Sequence, residues 1–198
     1  MASADSDTDP GANIPLAVKI LIAGGFGAGK TTMVGSVSEI TPLSTEEVMT
    51  EVSMGVDDLD GVEDKTTTTV ALDFGRITVD DQVVLYLFGT PGQGRFWFMW
   101  DELASGALGA VVLADTRRLD SCFPAVDFFE HRRIPFVVAV NRFDETDTYT
   151  PQEVRDAVDL GNDVPILMTD ARERESGKRV LLALVEHVMR RRSPALSS

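Results

Sequence analysis

Residues 24–31 read Gly24-Gly25-Phe26-Gly27-Ala28-Gly29-Lys30-Thr31. Those residue types, in that order, suit the binding of a phosphate. Glycines remove Cβ atoms, so successive backbone N–H groups can turn toward an anion. A helix beginning beside the lysine adds the partial positive charge of its N-terminus. The Lys30 ammonium would reach the outer phosphates of a nucleotide, and the Thr31 hydroxyl would bind Mg²⁺. Gly25, Phe26, Gly27, Ala28, Gly29, Lys30, Thr31 and Thr32 are therefore candidate nucleotide contacts.

Such a loop works only between a strand and a helix. Residues 17–23 are a short apolar run rich in β-branched residues, as expected of a buried strand, and residues 32–39 can begin a helix. Two β-rich runs follow at 67–79 and 83–88, with Asp80-Asp81 between them as a hairpin turn. Further strands are expected at 107–114, 135–140 and 164–168, and helices at 95–105, 121–131, 151–160 and 175–192. Thr150 would cap the helix that Pro151 begins. Buried strands alternating with helices predict a doubly wound α/β sheet of six strands, mostly parallel, with one antiparallel edge strand from the hairpin. Residues 1–13 read as a disordered acidic tail, 14–192 as one domain and 193–198 as a C-terminal tail. Within the domain, 41–65 reads as a long acidic loop.

Composition narrows the classes. The chain has 198 residues, 18 Lys and Arg against 32 Asp and Glu, and a net charge of −14. That balance argues against general nucleic-acid binding, which needs basic surface. No apolar run approaches the roughly 20 residues needed to span a bilayer. The acidic start lacks the basic region of a secretory leader. A single cysteine, Cys122, excludes an internal disulfide, and a cytoplasmic protein is expected. Cys122 reads as a small helix residue rather than a nucleophile. His131 and His187 lack ligand-like spacing and read as surface or helix-end residues. Arg190-Arg191-Arg192 suits a helix C-terminus and offers, as a second reading, a weak contact with an anionic membrane or partner.

The run 136–140 leads into Asn141-Arg142-Phe143-Asp144. In doubly wound folds ligands bind beyond the carboxyl ends of the strands, which brings this segment toward the phosphate loop. The Asp144 carboxylate can accept two hydrogen bonds from N1–H and the exocyclic amine of guanine. Adenine lacks that donor pair and would leave the carboxylate unpaired. Beyond the next strand stands Asp170-Ala171-Arg172, where the Ala171 N–H could meet the guanine carbonyl.

The loop at 24–31, Thr69, Thr90-Pro91-Gly92-Gln93, Asn141–Asp144 and Asp170–Arg172 stand in the order and spacing of small Ras-like GTPases, across residues 16–192. More closely, Lys65–Ile77 and Leu87–Gln93 resemble the small GTPases of actinobacterial conservons, which are similar to the bacterial polarity GTPase MglA. The resemblance implies a switch that binds GTP and GDP with Mg²⁺ and hydrolyses GTP slowly. It also implies a Roadblock/LC7-type partner and a sensor-kinase-like protein, and makes 41–65 a switch I region. Thr69 would complete the Mg²⁺ shell with Thr31, although Thr66, Thr67 and Thr68 are nearby rivals. Gly92 would give its N–H to the γ-phosphate, while Lys30 and Gln93 would be catalytic, Gln93 by orienting water.

Three positions depart from the family. The aspartate expected three residues before Gly92 is Gly89, so a contact in the outer Mg²⁺ shell is missing. Phe26 stands where the loop is often small and can crowd Gln93. Arg142 replaces a lysine, with a stem still able to pack on a base. Phe96-Trp97-Phe98-Met99-Trp100 holds too many consecutive large apolar residues for one buried helix face, and is expected to be a partner surface. The alternative function is a guanine-nucleotide-dependent scaffold with negligible turnover; an ATPase is a more distant one.

Overall fold

The computed structural model describes residues 14–50, 67–92, 98–143 and 149–192, with 44–50 and 67–71 as backbone alone. Its strands are β1 (Leu16–Gly24), β2 (Leu43–Thr50), β3 (Thr67–Thr78), β4 (Val83–Gly89), β5 (Ala107–Asp115), β6 (Phe136–Asn141) and β7 (Ile166–Thr169). The helices are α1 (Lys30–Val37), α2 (Trp100–Ala104), α3 (Phe123–Arg132), α4 (Pro151–Val158) and α5 (Arg174–Arg192), with a 3₁₀ segment at Thr116–Cys122.

The strands form one sheet in the order β2-β3-β4-β1-β5-β6-β7. β4, β1, β5, β6 and β7 pair in parallel, and β3 pairs antiparallel with both neighbours. The expected six strands and their single antiparallel member are present. A seventh, β2, lies outside β3, so the antiparallel strand is one place in from the edge. The acidic loop expected over 41–65 therefore begins as strand, and 51–66 lie outside the described residues. Glu46 and Glu47 made this stretch look like solvated loop. An edge strand needs one hydrogen-bonding partner only, and edge strands commonly carry charge.

β1, β5 and β6, at the centre of the sheet, are apolar on both faces because helices cover both. On one side Ile20, Ile22, Val111, Leu113, Val137 and Ala139 pack against α1 and α5 through Met33, Val34, Val37, Val180, Leu184 and Val188. On the other side Leu21, Ala110, Val112 and Val138 meet α2, α3 and α4 through Trp100, Val126, Phe129 and Val154. Each fully buried side chain of this kind contributes about 1.5–3 kcal/mol. His187 corrects an expectation: it is buried within α5 rather than at the surface. Cys122 is buried at the end of the 3₁₀ segment, and burial pushes its thiol up to about 11, which fits a packing residue.

Turn chemistry sets the connections. The Asp80 carboxylate accepts from the N–H groups of Gln82 and Val83, 2.8 Å each, closing the β3–β4 hairpin. Thr150 and Glu153 form a reciprocal capping box at the start of α4, as Thr150-Pro151 predicts. Among the described residues no helix is long and apolar enough to cross a membrane.

Candidate functional site

β1, β4, β5, β6 and β7 all end on one side of the sheet, and the sequence-derived candidates collect there. β1 delivers residues 25–29 to the N-terminus of α1. Gly29 adopts φ 104°, a left-handed conformation that glycine takes without penalty. A Cβ at Gly29 would also stand 2.5 Å from the Asn141 amide nitrogen. Lys30 is buried, its ammonium donating to the Gly24 and Gly25 carbonyls at 3.0 and 2.7 Å. Burial lowers its pKa to about 8, and the Asp73 carboxylate works in the opposite sense.

Asn141, at the end of β6, joins the two loops that the sequence places around a nucleotide. Its Nδ2 donates to the Ala28 carbonyl at 3.0 Å, and its Oδ1 accepts from the Ala171 N–H at 2.9 Å. The loop at 170–172 is braced in turn: Ser176 Oγ accepts from the Asp170 N–H at 3.0 Å. The Asp170 carboxylate accepts from the Arg172 guanidinium at 2.9 and 2.7 Å. That pairing lowers the Asp170 carboxyl to about 2, and Arg142 adds a smaller attraction. Arg172 is thus engaged with Asp170 in this conformation.

From the β4 side, the Thr90 N–H donates to the Ile22 carbonyl at 2.9 Å. Gly92 then lies against the loop: a Cβ there would be 2.7 Å from the Lys30 ammonium and 2.9 Å from the Phe26 nitrogen. Phe26 itself is 66% exposed at the mouth of the loop. Thr69 lies in β3, paired with Val48, about 13 Å of extended strand from Asp73. Gln93 and Asp144 lie outside the described residues, as do Phe96 and Trp97. Of the expected aromatic surface, Phe98 is exposed, whereas Trp100 is buried against Phe128 and Phe129. Trp100 is therefore a core residue, not part of a free face.

Sequence reasoning passed over four residues. Asp73 accepts a hydrogen bond from the Thr31 hydroxyl at 2.7 Å. A hydroxyl beside a carboxylate is a hard-oxygen donor set, which fits Mg²⁺. Asp115, fully buried at the end of β5, accepts from Arg117 at 2.9 and 2.7 Å, and Arg117 lies 3.6 Å over the Phe143 ring. Arg118 donates to the Phe26 carbonyl at 2.9 Å. Only the basic pair Arg117-Arg118 at the end of a predicted strand could have signalled this second brace.

Residues 22–191 match the family described as conserved hypothetical ATP binding protein. The chain belongs to that family. It is also 28% identical, over 137 residues, to an uncharacterized protein of Methanocaldococcus jannaschii, covering 68% of this chain and 76% of that one. Among solved structures it is similar to the cytosolic domain of the T. maritima FeoB iron transporter in a GDP form. The TM-score is 0.63 at 16% identity, over 88% of this chain and 64% of that domain. The FeoB G domain aligns at TM-score 0.58 and 17% identity over 90% of this chain and all of that one. The chain thus spans just under two thirds of the FeoB cytosolic domain, and its fold is that of a G domain with a phosphate loop.

Proposed function

We propose that this family member is a guanine-nucleotide switch that binds GTP and GDP with Mg²⁺ and hydrolyses GTP slowly. The observation that carries the reading is the Asn141 bridge, which ties the phosphate loop at Ala28 to the base-side loop at Ala171. In that reading Arg142 and Asp144, which follow Asn141 in the chain, would stand beside a base when the loop holds its phosphates. The Ala171 N–H, donated to Asn141 Oδ1 in this structure, would have to turn to the guanine carbonyl on binding, and the Asp144 carboxylate would select guanine by its donor pair.

The chain's own residues would stabilise charge rather than form covalent bonds. The buried Lys30 ammonium turns from the Gly24 and Gly25 carbonyls to the outer phosphates. Gly92 offers its N–H to the γ-phosphate, and Gln93 orients the attacking water. Thr31 and Thr69 would hold Mg²⁺, which would neutralise charge on the phosphates when bound. For Thr69 to take part, the start of β3 must swing in, which is the motion expected of a switch I segment. Exposed Phe26 beside the loop supports slow turnover, because its ring would crowd Gln93 or an incoming arginine.

Within this reading, the likeness to conservon GTPases and MglA supports a signalling role with a Roadblock/LC7-type partner and a sensor-kinase-like protein. A cytoplasmic site of action fits that role. Phe98, exposed beside the segment after β4, supports docking near residues 96–99. The same Phe26, with Gly89, favours the second reading of a scaffold with negligible turnover. The family's description names ATP, which the test must face directly.

Calorimetric titration with GDP and ADP in Mg²⁺ decides the base; the expected result is GDP tighter by at least 100-fold. Equal or tighter ADP binding would sink the guanine reading. Single-turnover GTP hydrolysis by wild type and Gln93→Ala decides the chemistry. A slow wild-type rate that falls at least 10-fold in the variant supports the switch, and an unmeasurable wild-type rate supports the scaffold.

A further inference from the structure

Four carbonyls of the phosphate loop accept hydrogen bonds from side chains. Lys30 takes those of Gly24 and Gly25, and Asn141 takes that of Ala28. The Phe26 carbonyl accepts from the Arg118 guanidinium at 2.9 Å. Arg118 is itself anchored. The 3₁₀ segment leaves helical geometry at this residue, with φ −150° and ψ 61°. Its Nη2 lies 3.6 Å from the carboxylate of Asp115, which is fully buried and also accepts from the N–H, Nε and Nη2 of Arg117. Asp115 ends β5 in register with Asn141 on β6. Neighbouring strand ends thus reach the loop at two alternate carbonyls, those of Phe26 and Ala28.

We propose that Arg118, anchored on Asp115, is a positioning residue for phosphate binding: it fixes the peptide between Phe26 and Gly27 so that the Gly27 N–H faces the phosphates. The proposal rests on the nucleotide reading above, and on its phosphate half alone. A trans peptide is planar, and its C=O and N–H point in opposite directions. No cis peptide bond occurs among the described residues. A donor that holds the Phe26 carbonyl from outside the loop therefore turns the Gly27 N–H inward, where an anion can meet it. Gly27 permits that orientation at φ 75°, a value glycine adopts freely. The fit is close, since a Cβ at Gly27 would lie 3.1 Å from the Arg118 Nη2. Charge suits an arginine to the task, because a hydrogen bond from a cation is stronger than one from a neutral donor. Half-exposed Arg118 needs an anchor to keep that bond against water, and Asp115 supplies it. Asp115 takes no part in the chemistry proposed above, yet burying a carboxylate is costly unless it is paired. Holding the arginine that sets the loop gives that buried charge a purpose.

The test is an NMR titration of backbone amides with inorganic pyrophosphate, which needs the loop and no base. Wild type is compared with Arg118→Met, which keeps an unbranched side chain without donors, and with Arg118→Lys, which keeps a cationic donor. An amide proton that bonds to phosphate moves downfield. In wild type the Gly27 and Gly29 amide protons are expected to move together at saturation. In Arg118→Met the Gly27 movement should fall below half its wild-type size. That of Gly29 should stay, because the carbonyl before it is held by Asn141. Affinity should fall about 10-fold, the weight of one charge-assisted hydrogen bond. Arg118→Lys should recover it to within about three-fold, since the contact with Phe26 uses one N–H. A full Gly27 movement in Arg118→Met would overturn the proposal whatever the affinity. Equal losses at Gly27 and Gly29 would overturn it too, as a general loosening of the loop, and so would an Arg118→Lys protein as weak as Arg118→Met. If Arg118→Met does not fold, Arg118→Gln, too short to reach the carbonyl, is read in the same way. No pyrophosphate binding by wild type would remove the phosphate reading and the proposal with it. A wild type that prefers ADP to GDP would fail the guanine reading alone, and the Gly27 amide would still decide the proposal.

Discussion

The ammonium nitrogen of Lys30 lies 2.7 Å from the place where a Cβ on Gly92 would stand. The segment leaving β4 thus closes directly over the lysine, and the same Cβ would meet the Phe26 nitrogen at 2.9 Å and the Gly25 carbonyl carbon at 3.0 Å. Two of those neighbours are backbone and cannot step aside cheaply. Gly92→Ala is expected to destabilise the nucleotide-free protein by about 1–3 kcal/mol, the usual range for overpacking. Differential scanning calorimetry without nucleotide checks it, with a fall in Tm of about 2–4 °C per kcal/mol for a chain of this size. An unchanged Tm would show that the close contact of residues 92 and 30 is not maintained in solution.

His187 is buried in α5, and its Nε2 has no hydrogen-bond partner among the described residues. Burial first, then the cations of Arg191 and Arg190, lower its pKa below 6.5, with Asp163 acting weakly in the other direction. The unfolded chain therefore binds the imidazole proton more readily than the folded one. By linkage, stability from this group is complete above pH 6.5 and is lost as pH falls toward the lower folded value. His187→Leu should flatten that loss and raise stability at pH 7 by about 1 kcal/mol, since it removes a buried unsatisfied group. Denaturant melts at pH 7.5, 6.5 and 5.5 read both effects. A variant that loses stability as steeply as wild type over that range would place the acid sensitivity elsewhere.

The parts of this fold that were legible are those fixed by local chemistry. Residues 17–23 and 107–114 had to be strands because their runs are apolar and β-branched. Asp80-Asp81 had to turn because an aspartate can accept from the N–H groups just ahead of it. Thr150-Pro151 marked a helix start by residue type alone. β2 was hidden because Glu46 and Glu47 read as loop, although an edge strand tolerates them. Asp73 was hidden for a different reason. Its contact with Thr31 depends on where the β3–β4 hairpin places it, and no motif in β3 points to that contact. Arg118 reaches Phe26 across 92 positions of sequence, a contact that exists only once β5 is laid beside β1. His187 could have been found, because it shares the helical spacing of the buried Val180, Leu184 and Val188.

Cys122 offers a probe of the segment behind the phosphate loop. It is fully buried, and with its thiol pushed up to about 11, roughly one molecule in a thousand is thiolate at pH 8. Its neighbour Ser121 packs on the loop: a Cβ on Gly25 would be 2.4 Å from the Ser121 Oγ. Labelling by a thiol reagent should therefore require local opening of the 3₁₀ segment. The expected rate is at least 100-fold below that of the urea-unfolded chain, and it should fall further when nucleotide fills the loop. Labelling as fast as in urea would show that this segment is open most of the time.

Asn141 braces two loops of the site at once. It is buried, and its side chain satisfies both the Ala28 carbonyl and the Ala171 N–H. Asn141→Ala would leave both of those backbone groups without their partner. Each buried unsatisfied group costs about 1–3 kcal/mol, so for two groups a loss of about 2–6 kcal/mol is expected. Stability alone does not separate a structural brace from a residue that shapes the nucleotide site, so affinity must be measured at a temperature where the variant is folded. If the bridge holds the base-side loop in register with the phosphate loop, calorimetric affinity for GDP should fall at least 10-fold. Affinity for inorganic pyrophosphate, which needs the phosphate loop alone, should fall much less. Equal losses for both ligands would mean that Asn141 acts on the phosphate loop only, and that the positioning of Ala171 has another source.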